Sequence, residues 1–98
     1  MFSIVENAKF RLKPYRFSNS LLAITIEEDK KNHVLTIRSY IFSSMEEEER
    51  DELSCYTTEV ISDYPVPPYS LREPIIEVLS FSREDIQGSL VYTNPQML

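Results

Sequence analysis

"LLAITIEEDKKNHVLTIRSYIF", residues 21–42, decides the fold. Leu22, Ile24 and Ile26 alternate on one side of a run rich in β-branched and aliphatic residues, which predicts a strand. "HVLTIRSYIF" predicts a second, with Leu35, Ile37 and Ile41 on one side and Val34, Arg38, Tyr40 and Phe42 on the other. Only the polar stretch "EEDKKN" separates them, so the two runs form an antiparallel hairpin.

The next stretch, "SSMEEEERDELSCYTTEVISDYP" (43–65), changes period. Leu53, Tyr56, Val60, Ile61 and Tyr64 fall on one stripe at helical spacing, and Pro65 ends it. Ser44-x-x-Glu47 has the form of a capping box, with Ser43 and Glu46 as an alternative register. A helix over 45–64 is predicted, its first acids placed where the helix dipole favours negative charge. Towards the N-terminus, Ser3-x-x-Glu6 and the spacing of Ile4, Val5, Ala8 and Leu12 predict a helix over 4–13, stopped by Pro14. Beyond the acidic helix, "PVPPYSLREP" reads as an extended loop, since four prolines in ten residues cannot rejoin a helix. "PIIEVLSF" is a third strand, "SREDIQG" a turn or a single helical turn, and "SLVYTN" a fourth, shorter strand. The expectation is a single α+β domain over 1–98, of order α-β-β-α-β-β, with both helices on one face of a four-stranded antiparallel sheet.

Composition narrows the chemistry. The 98 residues contain one glycine, Gly88, so no Gly-rich phosphate loop is available. The lone Cys55 cannot form an internal disulfide, which suits a reducing compartment. The N-terminus carries charge where a signal peptide has its apolar segment, and no apolar run reaches bilayer length. A cytoplasmic protein with no membrane contact is expected. Net charge is −6 and unevenly placed: Lys9, Arg11, Lys13 and Arg16 outweigh Glu6 near the N-terminus, whereas residues 45–52 hold six acids and one Arg50. That balance argues against nucleic-acid binding and favours a basic protein partner.

Catalytic patterns are sparse. Nucleophilic catalysis would have only His33 and Cys55 to draw on, one at the edge of a turn and the other opposite the apolar stripe. One His, one Cys and scattered carboxylates lack the spacing of a metal site, and no cofactor or metal is expected. Glu77, flanked by Ile75, Ile76, Val78 and Leu79, reads as a residue on the open sheet face. Binding is the remaining class. Glu48, Glu52 and Glu59 form one outward row, and glutamates one turn apart repel slightly. Tyr40, Phe42, Tyr69, Phe81 and Tyr92 are more aromatic anchors than a small core readily hides.

The hairpin strands followed by "SSMEEEERDELSCYTTEVISDYP", above all "TEVISDYP" at 58–65, resemble small immunity proteins of bacterial contact-dependent growth inhibition systems. The resemblance covers about residues 20–93. It implies a cytoplasmic antidote, not an enzyme, that binds the cognate toxin domain, basic and often a nuclease, and occludes its active site or substrate cleft. After Asp63-Tyr64-Pro65 the family pattern leads one to expect more acids, where this chain has "VPPYSLREP". On this reading Glu48, Glu52 and Glu59 supply one rim of the partner-binding surface and Asp63, Tyr64, Tyr69, Glu73 and Glu77 another. The protein itself would be a monomer or weak homodimer. The alternative is an adaptor or assembly subunit that oligomerises through an open sheet face bearing Tyr40, Phe42 and Tyr92.

Overall fold

The computed structural model describes residues 4–17, 20–42, 45–63, 69–78 and 86–94. Strands β1 (Leu21–Asp29) and β2 (Val34–Ile41) pair antiparallel as the hydrophobic pattern predicts, with Ile26 opposite Ile37 and Asp29 opposite Val34. The turn between them is closed by the Asp29 carboxylate, which accepts from the Asn32 backbone N–H at 3.1 Å and from its side-chain amide at 2.8 Å. His33 completes the turn with φ 54°, in the left-handed region.

One residue breaks the predicted alternation. Leu21 pairs with Ile41 and Ala23 with Tyr40, so Leu22 is a bulge. It therefore joins Ala23 and Tyr40 on the sheet face opposite Ile24 and Ile26, not the face predicted for it.

Helix α1 (Ile4–Leu12) and helix α2 (Glu47–Ser62) lie close to their predicted spans. The start of α2 differs in its chemistry. Its N-cap is Glu46, in extended conformation and without a side-chain capping bond; Ser43 and Ser44, like Ser3 of the other predicted capping box, lie outside the described residues. Glu47, Glu48 and Glu49 fill the first turn, where dipole and charge agree.

The sheet is mixed and five-stranded, not four-stranded and antiparallel. Strands β3 (Ser70–Arg72) and β4 (Ile75–Glu77) both run parallel to β2, and β5 (Ser89–Thr93) runs antiparallel to β1, giving the order β3-β2-β1-β5 with β4 also on β2. Val34 pairs with Ser70 and Ile41 with Glu77, a constant separation of 36 residues, so β3 and β4 are one edge strand interrupted at Glu73-Pro74. Across the gap the Pro74 carbonyl still accepts from Ser39 N–H at 3.1 Å. The parallel sense follows from α2: a helix that returns the chain along the sheet makes the next strand run with β2. The Pro-rich stretch read as a loop thus contains a strand, Ser70–Arg72; Pro65, Pro67 and Pro68 fall outside the described residues.

As predicted, both helices share one face. Ala8 of α1 and Leu53, Tyr56 and Val60 of α2 are buried with Ile24, Ile26, Leu35, Ile37, Ile41 and Val91 of the sheet. The buried Tyr56 hydroxyl ties the helices together by donating to the Ala8 carbonyl at 2.8 Å.

The opposite face is not open. Leu22 and Ala23 are fully buried and Tyr40 is 3% exposed, packed with Phe42, Ile76, Val78 and Leu90. Gln87 N–H donates to the Tyr40 hydroxyl at 3.2 Å. Gly88, with φ 89°, lies so close that an added Cβ would sit 3.2 Å from the Ile26 carbonyl oxygen. Tyr92 packs on the helix side, with the larger core cluster. The surface proposed for oligomerisation through Tyr40, Phe42 and Tyr92 is therefore not one face, and Tyr40 is core. Among the described residues, no helix is long and apolar enough to cross a membrane.

Candidate protein-binding surface

Burying Leu53, Tyr56, Thr57 and Val60 turns the remaining positions of α2 outward in two directions. Glu48, Glu52 and Cys55 are exposed, whereas Glu59 of the same predicted row is half-buried. The reason is Tyr15, whose hydroxyl donates to the Glu59 carboxylate at 2.9 Å. Tyr15 also stacks on Phe17 and meets Tyr56 edge-on. Burial, followed by the bond to Glu59, pushes the Tyr15 phenol up to about 12.

The other predicted contact residues are also engaged within the chain. Asp63, at the C-terminal end of α2, receives Arg11 Nε at 2.8 Å and Asn7 Nδ2 at 2.9 Å, with a second guanidinium nitrogen of Arg11 on its other oxygen. The Arg11 hydrogen bond holds this carboxyl below the usual carboxylate range and raises the guanidinium in turn. Glu73 accepts from the Thr57 hydroxyl and, at 3.4 Å, from the Ser54 hydroxyl. Glu77 pairs with Ile41 in the sheet and reaches Arg50 of α2 at 2.6 Å, so it points to the helix side and not to an open face. The Tyr69 hydroxyl donates to Glu28 at 2.7 Å, which raises its phenol above the ordinary value, and its ring lies against His33. Tyr64 and Phe81 lie outside the described residues.

The predicted acids therefore sort into three places. Glu59 and Asp63 face α1 and the segment after it, while Glu73 and Glu77 brace α2 against the β3–β4 edge. The side chains of Glu48 and Glu52, on the first half of α2, have no ion pair or hydrogen bond among the described residues, and neither do those of their neighbours Glu46, Glu47 and Asp51. Five acids thus leave one end of the helix strongly negative.

A second feature was not anticipated from the sequence. Lys9, Leu12, Lys13, Tyr15, Arg16, Phe17 and Tyr92 line a surface groove beside α1. Its signal was present: Lys9 and Lys13 are one turn apart, and Arg16 sits between two aromatic residues. The helical pattern of the segment ends at Pro14, so periodicity says nothing of Tyr15, Arg16 and Phe17.

Among the described residues, no group of three His, Cys, Asp or Glu side chains could hold a metal ion. His33 sits in the β1–β2 turn and Cys55 beside Glu52 and Glu59 on α2. No protein-family model matches the chain, and no curated protein is significantly similar to it.

Proposed function

We propose that this chain is a non-catalytic immunity protein, one that neutralises a cognate basic toxin domain in the cytoplasm by covering its active site or substrate cleft. The observation that carries this reading is the division of labour among its acids. Asp63, Glu73 and Glu77 are tied to Arg11, Thr57 and Arg50, while Glu48 and Glu52 stand exposed with no described partner beside Glu46, Glu47 and Asp51. A nuclease-like toxin presents a basic cleft to its substrate, and an exposed row of carboxylates offers that cleft the negative charge its substrate would bring. The resemblance of residues 43–65 to growth-inhibition antidotes points the same way.

The test uses the C-terminal domain encoded by the reading frame upstream of this one. Its association rate with the chain should fall at least about tenfold between low and high salt, and Glu48→Lys with Glu52→Lys should slow it by a similar factor. A rate flat with salt would remove the electrostatic part of the reading. Failure of the chain to protect cells expressing that domain would remove the rest.

A further inference from the structure

The basic groove does not stand alone on its surface. Across the Tyr15–Arg16 segment lies a second groove, lined by Pro14, Tyr15, Arg16, Glu52, Cys55 and Glu59. The two share Tyr15 and Arg16, so a cationic half and an anionic half meet along one ridge. Arg11 is taken up by Asp63, which leaves Lys9, Lys13 and Arg16 as the cations of the first half with no described ion pair. Phe10, 50% exposed, adds an apolar border, with Lys13 Nζ 5.3 Å from its ring centre. The ridge is held in place from below: Tyr15 is fixed by Glu59, Phe17 and Tyr56, and the Arg16 guanidinium donates to the Lys13 and Tyr15 carbonyls at 2.8 and 3.0 Å.

A surface that is positive on one side of a line and negative on the other is complementary to itself after a half-turn. That is the requirement for a two-fold symmetric interface, in which the same patch serves both partners. We propose that two copies of this chain pair through this surface, the Lys9–Lys13–Arg16 groove of each receiving the Glu48–Glu52 end of α2 of the other. A nucleic acid fits the same groove less well. The acids of the adjoining second groove, Glu52 and Glu59, repel a polyanion along one flank. A second copy brings a matching half to each. The pairing is independent of the antidote reading, because it concerns the isolated chain. It also competes with a basic partner, since both would cover Glu48 and Glu52.

Sedimentation equilibrium of the full chain tests the pairing. Between about 0.01 M salt, where charges act over about 30 Å, and about 1 M, where they act over about 3 Å, the dimer dissociation constant should rise at least about tenfold. Lys9→Glu with Lys13→Glu should leave the chain monomeric at concentrations where the native chain pairs, and so should Glu48→Lys with Glu52→Lys. Mixing the two variants should restore a dimer, because each then meets the opposite sign in both halves; circular dichroism confirms that each variant is folded. A native chain that stays monomeric at low salt up to about 1 mM, or a dimer that survives either reversal, overturns the proposal. So does a monomer that binds oligothymidylate through Lys9 and Lys13.

Discussion

Tyr56→Phe separates the two contributions of a single buried side chain. The ring of Tyr56 is fully buried and, among the described residues, its hydroxyl has one partner, the Ala8 carbonyl at 2.8 Å. Phenylalanine keeps the ring, so only the hydrogen bond is lost, a change of about 1 kcal/mol. In a domain of this size that lowers Tm by about 4–8 °C. Tyr56→Ala removes the ring as well and should cost about 3–5 kcal/mol. The pH dependence sharpens the test. Burial raises the Tyr56 phenol above its ordinary value. A group whose folded pKa is raised contributes stability that is complete below the unfolded pKa, about 10 for tyrosine, and is lost as pH rises above it. The loss is about 1.4 kcal/mol per pH unit, and the phenylalanine variant does not share it. Native chain and variant should therefore differ by about 1 kcal/mol near pH 7 and reach equal stability close to pH 11. Urea titration followed by circular dichroism, repeated from about pH 7 to pH 11, measures the gap. A gap that stays constant over that range would mean that the phenol is not held neutral and buried, and the placement of Tyr56 would be wrong.

Two further substitutions probe the rest of the frame. Asp63→Asn should destabilise the chain at neutral pH. Because Arg11 depresses the Asp63 pKa, the native chain's advantage should be present above the ordinary carboxylate value, about 4, and fade as pH falls through the lower folded value; acid titration of both proteins checks it. Gly88→Ala places a Cβ at positive φ and 3.2 Å from the Ile26 carbonyl, and should lose about 1–3 kcal/mol in a urea titration. An unchanged urea midpoint would contradict that backbone conformation.

The parts of the fold legible in the sequence are those set by local periodicity. The hairpin was readable because Ile24, Ile26, Leu35 and Ile37 alternate, and α2 because Leu53, Tyr56 and Val60 recur every three or four residues. The bulge was not, since Leu21, Leu22 and Ala23 are all apolar and a uniform run has no phase to shift. The parallel edge strand escaped notice because pairing sense depends on where α2 returns the chain, which no local pattern encodes. The roles of the acids were hidden for a similar reason. Thr57 meets Glu73 from 16 residues away, Arg50 meets Glu77 from 27 and Arg11 meets Asp63 from 52. An equally acidic stretch of sequence thus divides into structural and unengaged carboxylates only when the chain is folded.

The break at Glu73-Pro74 limits what can be added to the β3–β4 edge of the sheet. An uninterrupted edge strand would offer incoming chains a row of free N–H and carbonyl groups, the template from which cross-β aggregates grow. Here each half of the edge is three residues long, proline between them lacks a donor, and Arg72, Glu73 and Glu77 put charge along it. Strand addition at this edge meets a gap before it gains a full ladder. At this edge, contact with another chain would fall to side chains, whose charges can be screened and reversed, rather than to backbone pairing.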